Sequence, residues 1–288
     1  MNILNILDEI EKVDGEIYER LNPRRKAMRD FYNIGKKISL AALPLAMGSM
    51  FQKAYGQSNP GTVTDVLNFA LALEYLEYNY YNHALSVATA TYIPSGAPRN
   101  AITTIRDHER AHVDLLKGAL KITGADGYVY SDFDFTAGGG FGDVDTNYQT
   151  FLKVALAFED TGVRAYKGQA PILKGNAVLT TALQIHSVEA RHASHIRQMV
   201  AANVTGAGSL KPWIAYTANG NDTGVSAVDA VYAGEQNTAQ GPNNIQITGI
   251  NGTAVTQTAA AESFDEFLTG SAVKTIANLF IKAGKKLS

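Results

Sequence analysis

"HSVEARHASHIR" spans His186 to Arg197 and holds three of the six histidines in a 288-residue chain. Around it, Ala182, Ile185, Glu189, His192, Ile196 and Met199 recur at alternating intervals of three and four. That spacing sets Glu189 and His192 within the apolar stripe that a helix turns toward a core. His186 and His195 fall off the stripe and read as outlying or surface residues. The stretch predicts a helix that buries one Glu-x-x-His pair.

The same pattern occurs earlier in the chain. In "AITTIRDHERAHVDLLKGALKITG" (101–124), Ile102, Ile105, Glu109, His112, Leu116 and Ala119 form a stripe with a second Glu-x-x-His pair, and His108 lies beside it. Two further helical segments carry one striped glutamate each. Leu67, Ala70, Glu74, Tyr81 and Leu85 share a face in the segment that opens at a Thr cap and runs to about residue 90. Leu152, Ala155, Glu159, Val163 and Tyr166 do so in 147–170. Each glutamate is followed seven residues later by a tyrosine, Tyr81 or Tyr166, on the same face. Glu77 reads as the edge of its stripe, with a place as substitute for Glu74 the alternative, and His83 as peripheral.

"IPSGAPRN" and "PILKGN" break the helices into two hairpins, and residues 125–146, with "TAGGGFGD", read as one long crossover. The expected fold is all-α: four long helices at 61–204, with the crossover between helices 2 and 3. Antiparallel geometry supports the pairing, because the midpoint of Glu159 and Glu189 is residue 174, inside "PILKGN". The crossover must span a helix of about 36 Å, and its residues can extend to about 73 Å. "TAGGGFG" lacks the strand, helix and Lys-Ser/Thr context of a phosphate loop.

Burial of these side chains restricts their chemistry. A lone buried carboxylate costs several kcal/mol or takes up a proton, and four facing one another repel. Two divalent cations balance four carboxylates, and neutral imidazoles complete the ligation. The expected metal ligands are therefore Glu74, Glu109, His112, Glu159, Glu189 and His192. Tyr81 and Tyr166 are expected to support them from just outside. The chain contains no cysteine, so thiolate sites, disulfides and Cys nucleophiles are excluded and any metal is held by nitrogen and oxygen. A net charge of −2 argues against nucleic acid or an acidic membrane surface as partner.

The flanks differ in texture. Residues 1–56 read as a leader: an amphipathic start, the basic "PRRKAMRDFYNIGKK", and the apolar "ISLAALPLAMGSMF" (38–51), too short for a free-standing membrane helix. Basic flank, apolar run and small-residue ending resemble an export signal, and Arg24-Arg25 resembles a twin-arginine signal, so the expected location is the periplasm or cell envelope. Residues 205–288 read as a loop-rich extension with a small hairpin about Asn251-Gly252, and a last helix behind a Ser263/Glu266 capping box. Glu235 in "VYAGEQN" reads as a covering-loop residue outside the ligand set.

The segments "VLNFALALEYLEYNYY", "HERAHV", "FEDTGVRAY" and "HSVEARHASHI" resemble the ferritin-like superfamily, and within it a bacterial ferritin-like or desiccation-related branch whose members often carry a twin-arginine leader. The resemblance implies a four-helix bundle with a dinuclear site of two Fe ions, two Mn ions being the alternative. Fe(II), O₂ or peroxide would then be the small-molecule substrates. Such a site makes iron oxidation, oxidant removal under stress, and manganese-catalase activity chemically reachable. A non-catalytic stress-related bundle with structural metal, or none, is the remaining alternative.

Overall fold

A computed structural model describes residues 61–86, 92–123, 127–215, 221, 226–252 and 254–288. The expected leader lies outside the described residues. Helix α1 (Val63–Ser86) opens with a reciprocal cap: Asp65 N–H donates to Thr62 Oγ1 at 3.1 Å, and Thr62 N–H donates to Asp65 Oδ2 at 2.7 Å. Helix α2 (Ala97–Leu120) starts four residues before the expected Ala101. Pro98 suits a first turn, where its missing N–H has no helical partner, and Gly96 takes the positive φ of +81° that turns the chain in. The helix ends at Leu120, short of Gly124, because Lys121 adopts the left-handed conformation (φ +57°) and closes the last turn with its N–H on Gly118 O. Helices α3 (Tyr148–Gln169), capped by the Asn147 side chain, and α4 (Val178–Asn203) lie where the periodicity puts them.

Helix α1 packs on α2 and α3 on α4, while contacts of α1 with α3 and of α2 with α4 join the two hairpins. The apolar stripes face inward, with Ile102, Leu152 and Ile196 all 0% exposed. Among the described residues, no helix is long and apolar enough to cross a membrane.

The crossover is packed, not free. Phe133, Phe135 and Phe141 are buried, and Tyr80 of α1 stacks on Phe151 of α3 at 5.0 Å while meeting Phe135. Asp134 N–H donates to Phe280 O and Lys282 N–H to Asp132 O, which ties the crossover to the chain's last segment.

The tail departs from two expectations. Its hairpin pairs β1 (Ala239–Gln240) with β2 (Ile245–Gln246), so the turn is Gly241 to Asn244. Asn251 and Gly252 do take positive φ, as that dipeptide favours, but they sit in a 3₁₀ turn, and no strand pairing flanks it among the described residues. Ser263 does not open the last helix. It closes the short α5 (Gln257–Glu262), and α6 (Gly270–Ala277) is capped by Thr269, whose hydroxyl accepts from Ala272 N–H.

The tail lies directly against α3. Leu268 N–H donates to Arg164 O at 3.2 Å, and a Cβ placed on Gly168 would stand 2.0 Å from Leu268 O. Backbone cannot yield as a flexible side chain can. Gly168→Ala is therefore expected to cost about 2–3 kcal/mol, and thermal unfolding should show a melting point roughly 5 °C or more below wild type.

Candidate metal centre

The four helices bring all six expected ligands together. Glu74, Glu109, Glu159 and Glu189 are each 0% exposed, and His112 and His192 are buried beside them. Two donor groups form, Glu74/Glu109/His112/Glu189 and Glu109/Glu159/Glu189/His192, with the donor atoms of each within 4.8 Å of one another. Glu109 and Glu189 belong to both groups. The remaining members are Glu74 and His112 in one group, and Glu159 and His192 in the other.

His112 Nδ1 lies 3.1 Å from Glu74 Oε2, 3.2 Å from Glu109 Oε2 and 3.3 Å from Glu189 Oε1. His192 Nδ1 lies 2.8 Å from Glu109 Oε1 and 3.4 Å from Glu159 Oε2. The tyrosines complete a near two-fold pattern: Tyr81 O–H donates to Glu159 Oε1 at 2.5 Å, and Tyr166 O–H donates to Glu74 Oε1.

The donor atoms are underused as hydrogen-bonding groups. Among the described residues, Glu109 Oε1, Glu159 Oε2, both oxygens of Glu189 and His192 Nδ1 are buried without a hydrogen-bond partner. His192 Nδ1 and Glu109 Oε1 are thus close but not aligned as donor and acceptor. A network of ion pairs alone leaves these atoms unsatisfied, which is costly at such depth. Lone pairs converging on common points fit cations, and the mixed carboxylate and imidazole set suits iron or manganese.

Without a metal, the cluster takes up protons. Burial, with the neighbouring Glu109 charge, pushes the Glu74 carboxyl up to about 7 against the pull of His112. Burial and the Glu109 charge also push Glu189 well up. Burial opposes ionisation of Glu109, but contacts from His112 and His192 outweigh it and hold that carboxyl at about 2. Burial likewise opposes the charge on His192, yet Glu159 and Glu109 raise it to about 11.

The pH dependence follows in sign. A carboxyl raised from 4.5 to about 7 stabilises the fold fully below 4.5, and that contribution is lost as pH rises through 7. Metal-free protein should lose about 1–3 kcal/mol between roughly pH 5 and 7.5. Melting curves with and without chelator check this, since bound metal replaces the protons and should flatten the dependence.

Among the remaining histidines, only His108 reaches the cluster: its Nδ1 is 2.9 Å from His192 Nε2. His195 is exposed. His186 donates to Val163 O at 3.0 Å, and His83 stacks on Tyr130. Glu235 pairs with the buried Arg164 at 3.1 Å, away from the donor groups.

Glu77 corrects the sequence reading. It is 3% exposed, not at an edge, and its carboxyl is pushed well up by burial and then by the charges of Glu189 and Glu109. Once the two hairpins are paired, the match between them accounts for its place. Glu74 matches Glu159 and Tyr81 matches Tyr166, so the counterpart of Glu77 in α3 is Gly162. A Cβ there would meet Glu189 Oε2 at 2.8 Å and Glu77 Oε1 at 3.1 Å. The second half lacks a side chain where the first half projects an acid. Gly162→Ala should therefore leave the fold intact, because flexible carboxylates can yield, yet weaken metal binding by roughly tenfold or more through displacement of Glu189. Competition with a chelating dye measures the change.

A family model described as a ferritin-like domain matches residues 62–202. The four-helix part of the chain belongs to the ferritin-like superfamily. No curated protein and no solved structure matches the chain.

Proposed function

We propose that this is a dinuclear carboxylate metalloprotein with iron as its resident metal, acting on Fe(II), O₂ or peroxide as an oxidant-consuming protein under stress. The observation that carries the reading is the set of buried oxygens and one nitrogen without a hydrogen-bond partner, in two donor groups that have Glu109 and Glu189 in common. Glu74 and His112 would hold one ion, Glu159 and His192 the other, and Glu109 and Glu189 both. A bound pair of iron ions supplies reversible two-electron chemistry and a binding position for an oxygen ligand.

The chain's own residues set the conditions for that chemistry. Tyr81 and Tyr166 fix the orientation of Glu159 and Glu74, since each carboxylate keeps one oxygen on a phenol and turns the other inward. His108 engages His192 Nε2, which leaves Nδ1 facing the donor group. The surrounding core, with Phe151, Leu152 and Ile196 at 0% exposure, keeps bulk water away. The basic and apolar leader sequence supports export, which cell fractionation of a tagged full-length chain checks.

Stopped-flow oxidation of Fe(II) tests the proposal. Metal-free protein should oxidise added Fe(II) faster than buffer does, with saturation near two ions per chain, about the capacity of a dinuclear site. No acceleration would sink the iron reading. Release of O₂ from peroxide by manganese-loaded protein alone would replace it with catalase-type activity.

A further inference from the structure

The bundle holds a second internal space beside the metal centre. A cavity of about 200 Å³ lies among the N-terminal half of α1, the C-terminal halves of α2 and α3, and the start of α4. Each helix gives one alanine to its wall: Ala70, Ala119, Ala165 and Ala182. Residues this small on all four helices leave room that larger aliphatic side chains would fill. Among the described residues, no charged side chain lines the space, and its polar groups are few. The Tyr166 hydroxyl is committed to Glu74, while Gln169 and Thr181 are half-buried. Leu115, 46% exposed, and Ala119, also exposed, stand on the solvent side and mark an entrance.

We propose that this cavity binds a small, uncharged, apolar organic molecule of about the size of naphthalene. An apolar cavity of about 150 Å³ stays dry and takes up benzene, so a somewhat larger one suits a fused or substituted ring. An apolar wall excludes a ligand carrying a charge, because no group there repays its desolvation. The ligand would rest against the Tyr166 ring, one hydrogen bond from Glu74, which places it next to the metal centre without touching the donor atoms.

Calorimetric titration of the full-length chain with naphthalene tests the proposal, with naphthalene-2-sulfonate as charged control. Both run on metal-free and on metal-loaded protein, so failure of the metal reading and failure of this one are distinguishable. Naphthalene should bind with a micromolar Kd in both states, and the sulfonate at least tenfold more weakly. Ala70→Leu and Ala182→Leu, on different helices, should each reduce naphthalene affinity by roughly tenfold or more while keeping the helical circular dichroism. In wild-type protein, NMR of labelled alanine methyls should show naphthalene shifting Ala70, Ala119, Ala165 and Ala182, a readout that needs no variant. Absence of naphthalene binding, unchanged affinity in both filled variants, equal affinity for the sulfonate, or shifts confined to other alanines would each overturn it.

Discussion

Glu109→Ala/Glu189→Ala is expected to take the bound metal from about two ions per chain, the content of a dinuclear carboxylate bundle, to none. The reason lies in the sharing. Both donor groups contain Glu109 and Glu189, so their removal leaves each position with one carboxylate and one imidazole. Two ligands do not hold a first-row divalent ion against water and chelator. Glu74→Ala touches one group only and should lose about one of the two ions. Elemental analysis after gel filtration reads both outcomes. Retention of full metal in the double variant would mean that the donor groups are not the metal site.

Glu189→Gln, which keeps the side-chain volume but removes the acid, should be more stable than wild type when both are metal-free. Glu189 is held where burial and the charge of Glu109 oppose its ionisation, so its removal relieves a penalty in the empty protein. Metal-loaded wild type should reverse that order, because ligation contributes to folding only when the ligands are present. Melting temperatures of the four states separate the two effects.

Asp160→Ala is expected to destabilise the bundle by about 3–5 kcal/mol, whatever the metal content. Arg197 of α4 is 1% exposed and bonds Asp160 of α3 through Nε at 3.2 Å and Nη2 at 2.5 Å. Tyr232 from the tail donates to Asp160 Oδ2 at 3.0 Å, and Asn221 Oδ1 accepts from Arg197 Nη1 at 3.1 Å. The alanine variant strands a buried guanidinium charge beside a hydroxyl without its acceptor. Denaturant unfolding should show the loss as a lower midpoint with little change in slope. Asp160→Leu/Arg197→Met, which removes both charges, should recover much of it. A loss under about 1 kcal/mol in the single variant would mean that water reaches Arg197 and screens it.

The bundle and its buried Glu/His cluster were legible because both are written in local spacing. An apolar stripe at intervals of three and four fixes which face of each helix is buried, without reference to any other segment. Glu109 with His112, and Glu189 with His192, sit one turn apart on such faces, so burial of the stripe brings the pairs inward. The Glu-to-Tyr interval of seven places the hydroxyls two turns along the same face, and the structure finds each on the opposite half's glutamate, Tyr81 on Glu159 and Tyr166 on Glu74.

Glu77, the buried arginines and the tail were not legible in this way. Glu77 reads as an edge residue because its burial comes from the facing side, where Gly162 leaves room beside Glu189. Arg164 and Arg197 carry no local sign of burial, and it is the carbonyls of Val231, Ala233 and Glu266, and the side chains of Asp160, Glu235 and Asn221, that surround them. All of those partners but Asp160 lie in a tail whose own local signals compete. Asn251-Gly252 and Ser263 offer ordinary turn and cap chemistry, and the contact of Leu268 with α3 at Gly168 sets where the last helix begins.

The sequence by itself determined the four helices, their inward faces and the six buried Glu and His residues that cluster there, because a 3.6-residue period links neighbours along one chain. Only the tertiary structure decided that Glu109 and Glu189 are shared, that Glu77 is a fifth acid at the cluster and that four alanines meet around a cavity. Those facts depend on distances between helices that are remote in the chain, and no local period carries that information.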